Sequence, residues 1–192
     1  MCLKLIFILN FSLFFIPDRV SDSMVCLTHD EAELFKLINT YRETIDLEPI
    51  PFSQSLSKVA RTHVRDLVEN YTFKQDAKCN PHSWSKKGNW TSCCYTSDHK
   101  KATCMWNKPL EIAGFDSKGY EILYYSSDGA DPGESLVAWQ NSPAHHPVMI
   151  NSGIWAKVKW GAMGVGIYET YSAVWFSELE DEESKQVISL CK

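Results

Sequence analysis

Once the first 23 residues are set aside as a leader, the chain keeps an even set of six cysteines, and that set constrains its fold more than any other feature. Residues 1–23 read as a secretory signal. Lys4 supplies the positive start, and the apolar run from Leu5 to Ile16 is shorter than the roughly 20 residues a bilayer span requires. Ser21 and Ser23 place small residues where a signal peptidase reads them, before a cut after Ser23. An uncleaved interfacial helix is the rival reading of the same segment. Cleavage removes Cys2 and leaves 169 of the 192 residues, enough for one domain with a sizeable core.

The remaining cysteines are Cys26, Cys79, Cys93, Cys94, Cys104 and Cys191, and in an exported chain they read as a disulfide framework. Cys93 and Cys94 are adjacent and would close a strained ring on each other, so they look to Cys79 and Cys104, in an order the spacing leaves open. Cys26 is left to pair with Cys191, which would tie the two ends of the domain together. A zinc site made from the four central cysteines and His99 is the alternative, against which stands the absence of any C-x-x-C pair. The net charge of −5, with no basic stripe, argues against nucleic acid and anionic membrane as partners. The acidic run from Glu178 to Glu183 reads as solvated, so residues 179–192 are expected to form an acidic C-terminal tail.

Thr28 and Glu31 make a capping box, and Leu34, Leu37, Ile38 and Tyr41 follow at helical spacing. After a break at Leu47 to Pro51, Ser53 caps a second helix whose apolar stripe runs through Leu56, Val59, Ala60, Val64 and Leu67. His63 lies beside that stripe and reads as a structural histidine. From Lys74 to Asp116 the periodicity fades into what reads as a long loop pinned by disulfides, carrying His82-Ser83. Asn70-Tyr71-Thr72 and Asn89-Trp90-Thr91 are glycosylation sequons, meaningful in a host that glycosylates exported chains.

Gly119 to Tyr125 reads as an extended segment in which Glu121 needs a partner, because an unpaired buried charge is costly. Asp131 and Pro132 mark a helix start, Leu136 and Trp139 share its face, and Asn141-Ser142-Pro143 ends it ahead of the pair His145-His146. Gly161 to Tyr168 and Ala173 to Phe176 predict two strands of a hairpin. The glycines of the first lack the spacing and the following helix of a phosphate loop.

Taken in order, Leu37-Ile38-Asn39-Thr40-Tyr41-Arg42, His82-Ser83, Gly119-Tyr120-Glu121, Trp139-Gln-Asn-Ser-Pro-Ala-His145 and Gly164-Val165-Gly166 resemble the CAP superfamily. That superfamily takes its name from cysteine-rich secretory proteins, antigen 5 and pathogenesis-related 1, and its bacterial-type secreted members are the most similar. The resemblance spans Asp30 to Phe176 and places a CAP (SCP) domain at residues 24–178. It implies an α+β fold, a three-layer α-β-α sandwich around a small antiparallel sheet, here disulfide-stabilised, with an open cleft holding histidines and acidic residues that bind zinc in some members. Carried over by position, His82 matches the first cleft histidine, Glu121 the family glutamate, and His145 the histidine of the Ser-Pro-Gly-His pattern. Ile122 stands where the family usually has Asn, Pro147 follows the histidine pair, and Ser142 replaces the acidic residue of eukaryotic members.

Two imidazoles and a carboxylate are ligand types that zinc accepts, with water in the fourth place. Three functions follow from the resemblance. One is a secreted module, extracellular or periplasmic, that binds a lipid, sterol or protein, its cleft holding Zn2+ through His82, Glu121 and His145. The second is a zinc-dependent, peptidase-like hydrolase with Glu121 as base or ligand; the third is a purely structural cluster, with recognition left to surface loops. No H-E-x-x-H or G-x-S-x-G motif assigns a reaction, and stable membrane insertion and nucleic-acid binding are not expected.

Overall fold

The computed structural model describes residues 26–71, 78–184 and 189–191, so the leader at residues 1–23 and Thr72 of the first sequon lie outside the described residues. Helix α1 (His29–Glu43) begins at the expected capping box. Thr28 Oγ accepts the Glu31 N–H at 3.2 Å, and the Glu31 carboxylate accepts the Thr28 N–H at 2.8 Å, satisfying two donors that a helix start leaves open. Helix α2 (Gln54–Asn70) is capped by Ser53, whose hydroxyl accepts the Leu56 N–H at 2.9 Å.

The same helix start corrects the view of residues 178–183 as uniformly solvated. Asp181 is buried, and its carboxylate accepts from the Ser53 hydroxyl at 2.6 Å and from the Ser55 N–H at 3.0 Å. Glu178, Glu180, Glu182 and Glu183 do face solvent. Asp181 is drawn in because the positive end of a helix dipole and its open N–H groups favour a carboxylate.

Three antiparallel strands form the sheet in the order β1 (Tyr120–Tyr125), β3 (Tyr171–Ser177), β2 (Ala162–Tyr168). The β2–β3 hairpin closes with Tyr168 opposite Tyr171 and with Glu169 in the left-handed region at φ 48°. Central strand β3 is buried along its whole length, and its alternation separates two cores. Ala173 and Trp175 pack with Val59, Ala60 and Val64 of α2, while Val174 and Phe176 pack with Leu34 and Ile38 of α1 and Trp139 of α5 (Pro132–Gln140). Helices therefore cover both faces, giving the α-β-α sandwich.

Close approach explains the glycines of β2. A Cβ on Gly164 would stand 2.2 Å from the Ser57 backbone nitrogen, and one on Gly166 2.5 Å from that of Arg61. Only glycine lets α2 lie this near the strand. As expected, α5 starts at Asp131, which accepts the Glu134 N–H at 2.9 Å with Pro132 in the first turn.

Residues 78–116, the described part of the region from Lys74 to Asp116, are less irregular than their sequence suggests. They contain α3 (Thr103–Trp106) and α4 (Lys108–Ala113), each too short to print a helical repeat. The three disulfides are Cys26–Cys191, Cys79–Cys94 and Cys93–Cys104. The terminal bond is the expected one, and the central pairing is the order that spacing left open. With all four central cysteines oxidised, the thiolates of the alternative zinc site are gone.

Candidate functional site

Glu121 and Trp175 are paired across β1 and β3, which sets their side chains beside each other facing α2. From α2 comes His63, which is fully buried; from the disulfide loop comes His82, which is partly exposed. The loop is held by Cys79–Cys94, by the Asn80 N–H donating to the Tyr95 carbonyl at 2.9 Å, and by reciprocal bonds between Trp84 and Cys93. Three elements distant in sequence thus meet at one carboxylate.

That carboxylate accepts three N–H bonds. His63 Nδ1 donates to Oε1 at 2.6 Å, Trp175 Nε1 to the same oxygen at 2.7 Å, and His82 Nδ1 to Oε2 at 2.8 Å. Burial by itself would raise the Glu121 pKa, but the His63 charge and the hydrogen bonds from His63 and His82 outweigh it and hold the group at about 2, below its ordinary 4.5. Glu121 is an anion at every ordinary pH.

His63 Nε2 also faces an acceptor, the Ser83 carbonyl at 3.0 Å. Both ring nitrogens thus face acceptors, which only a ring protonated at both satisfies together. Its face lies on Trp84, with centroids 4.3 Å apart and planes 7° from parallel, an arrangement that suits a cation. His82 differs. Its Nδ1–H is fixed on Glu121, so Nε2 is the nitrogen left for chemistry, and Nε2 has no hydrogen-bond partner among the described residues.

The histidine pair after α5 divides. His146 Nε2 bonds the Tyr41 hydroxyl of α1 at 2.7 Å. His145 caps α6 (His146–Met149) through its backbone and belongs to the cluster electrostatically. Its pKa is lowered by burial and then by the charge of His82, with Glu121 opposing, so it stays neutral at physiological pH. His99 stands apart, exposed and bonded to the Tyr95 hydroxyl at 2.7 Å.

Of the residues expected at a metal site, His82 and Glu121 are in direct contact and His145 is near enough to feel both charges. Among the described residues no group of three or more His, Cys, Asp or Glu side chains is arranged to hold a metal ion. The donor chemistry agrees, because both Glu121 oxygens already serve N–H groups. A three-ligand centre through Glu121 therefore does not fit these residues. What the cluster offers is two imidazoles, His82 with a free nitrogen and His145 held neutral.

His63 and Trp175 are the members that sequence reasoning missed. A signal existed for His63: it interrupts an apolar stripe, and Glu121 on an apolar strand wanted a partner, so each was the other's answer. Trp175 offered none, since a tryptophan in a buried strand reads as core. A cavity of about 580 Å³ lies elsewhere, among Thr28, Asp128, Asp131, Ile167 and Glu169, and none of the expected site residues lines it.

The fold has relatives among solved structures. The chain is similar to an extracellular protein containing an SCP domain from Bacillus anthracis str. Ames, with TM-score 0.56 and 19% identity, over 77% of this chain and 40% of that one. It is similar to a cysteine-rich secretory protein from Staphylococcus aureus subsp. aureus Mu50, with TM-score 0.51 and 17% identity, over 78% of this chain and 38% of that one. An outer surface protein from Borrelia burgdorferi matches with TM-score 0.51 and 19% identity, over 79% of this chain and 93% of its own. The chain thus spans about two fifths of the first two relatives, and at these identities the likeness concerns the fold. No curated protein matches. Among the described residues no helix is long and apolar enough to cross a membrane. The family model of the cysteine-rich secretory proteins matches residues 35–179, most of the chain, and on that ground the chain belongs to the CAP family.

Proposed function

We propose that this CAP-family chain is an exported binding module whose His82 and His145 imidazoles form the recognition point, with Glu121 as the buried anion that sets the state of His82. One observation carries the choice of binding over hydrolysis: Glu121 accepts three N–H bonds and has a pKa of about 2, so it neither takes a proton from water nor turns an oxygen to a metal. The apolar leader and the cysteine framework support export, as do relatives whose names describe extracellular and outer surface proteins.

The zinc reading survives in reduced form. His82 Nε2 and His145 are the imidazoles that would carry an ion, solvent would complete its shell, and Glu121 would act on His82 rather than on the metal. Such a site binds weakly, and because an imidazole must be neutral to ligate, its affinity falls on acidification.

Calorimetric zinc titration of the wild type, His82→Ala, His145→Ala and His99→Ala tests this, run beside a panel of peptide and ester substrates with and without chelator. Weak binding lost in the first two variants, kept in the third and unaccompanied by turnover supports the proposal. Hydrolysis that chelation abolishes would overturn it in favour of the enzyme reading. Zinc affinity equal in all four proteins would leave the cluster a structural one.

A further inference from the structure

We propose that Asn89 is a site of N-linked glycosylation, used in preference to the sequon that begins at Asn70; the proposal rests on export of the chain. Both segments carry the Asn-x-Thr pattern, but the fold presents them differently.

Asn89 lies on a short loop closed by the paired backbones of Trp84 and Cys93. Trp90 is the anchor of that loop. Its Nε1 donates to the Ser85 carbonyl at 3.1 Å, its ring meets Trp84 edge-on at 5.4 Å, and it covers Gly88 so closely that a Cβ there would stand 2.0 Å from the indole. The chain bends through residues 86–90 and rejoins its partner backbone at Cys93. With Trp90 turned inward, Asn89 and Thr91 are both exposed, and neither side chain has a hydrogen-bond partner among the described residues. Thr91 is nonetheless held in place, its N–H on Glu111 and its carbonyl on the buried Lys108 ammonium. The acceptor amide and the hydroxyl two residues on, the two groups a glycosyl transferase reads, stand free on an anchored backbone.

Asn70 is the last residue of α2, and its Nδ2 donates to Asp66 Oδ1 at 3.2 Å. Asp66 is itself buried and bonded to both the N–H and the hydroxyl of Ser85. The atom that would be glycosylated is therefore engaged, and the residue after it is pinned through the Tyr71 hydroxyl to the Cys79 carbonyl at 2.7 Å. A third sequon, Asn10-Phe11-Ser12, lies outside the described residues and within the leader.

The donor is a lipid-pyrophosphate oligosaccharide of the secretory pathway. Asn89 Nδ2 forms the bond to C1 of the reducing-end sugar as the C1–O bond to pyrophosphate breaks. The lipid pyrophosphate leaves with that electron pair, and one Nδ2 proton passes to the transferase.

The test is secretion of the full chain from cultured eukaryotic cells, once with its own leader and once behind a leader known to direct export. Peptide:N-glycosidase F in heavy-oxygen water then marks each occupied asparagine as aspartate for mass spectrometry. The expected result is a mark at Asn89, loss of one mobility step in Asn89→Gln and in Thr91→Ala, and no change in Asn70→Gln. Secreted protein bare at Asn89, or occupied equally at Asn70, overturns the proposal. Failure of the native leader alone, with Asn89 occupied behind the other leader, sinks the export reading and supports the modification site.

Discussion

Replacing Glu121 with Gln isolates the interaction on which the cluster depends. The glutamine keeps the shape of the side chain but trades one acceptor oxygen for an NH2 donor, while His63, His82 and Trp175 all still direct N–H groups at it. With the amide oxygen turned to His63 and Trp175, the NH2 group faces His82, which must move its proton to Nε2 to accept there, and His63 loses the carboxylate it pairs with. Removing one partner of a buried ion pair costs ~3–5 kcal/mol. A second route gives a similar size: a carboxyl held at about 2 in the folded chain against 4.5 when unfolded contributes roughly 3 kcal/mol at neutral pH.

The sign of the pH dependence follows from the depressed folded-state pKa. The contribution is complete above the unfolded value of 4.5 and is lost as pH falls toward about 2. Equilibrium urea unfolding with disulfides intact, on wild type and Glu121→Gln, should show a gap of ~3 kcal/mol at neutral pH that closes in acid. A neutral-pH gap below ~1 kcal/mol, or one that persists unchanged near the acid end, would refute the ion-pair description.

Other expected outcomes are more local. Gly164→Ala puts a methyl 2.2 Å from the Ser57 nitrogen and should cost at least ~1–3 kcal/mol by thermal or chemical unfolding, because α2 must be pushed off the sheet. Asp181→Ala removes the carboxylate at the α2 start and should cost ~1–2 kcal/mol at neutral pH. Hydrogen bonds lower the Asp181 pKa despite burial, so in wild type this contribution should fade as pH drops below 3.8. Removing Cys26–Cys191, which spans 165 residues, should cost ~2–5 kcal/mol through the freed unfolded chain, measured by urea midpoint. In proton NMR, His145 should titrate below 6.5, because burial and the charge of His82 both resist its protonation.

Much of this protein is determined by residues close in sequence. The capping box of Thr28 and Glu31, the Ser53 cap and the Asp131-Pro132 helix start each join groups within three residues of one another, so the pattern alone specifies them. The even cysteine count likewise implies the terminal bond, because Cys93 and Cys94 pair within the central region and leave Cys26 to Cys191. The resemblance to CAP proteins is what singles out His82, Glu121 and His145, of which His82 and Glu121 are in direct contact.

The roles within that site were decided by tertiary structure. Glu121 meets His63 across 58 residues and Trp175 across 54, and Asp181 reaches Ser53 across 128; no local spacing encodes such contacts. They arise because β1 pairs with β3 while α2 lies on that face of the sheet, which stacks distant segments on one carboxylate. That stacking turns Glu121 from a free acid into the centre of a buried hydrogen-bonded ion pair, and leaves His82 Nε2 as the nitrogen available for chemistry. Sequence supplies the chemical groups and their local geometry; which acceptor meets which donor depends on how the helices and strands pack, because burial makes each polar group find a partner wherever the fold brings one.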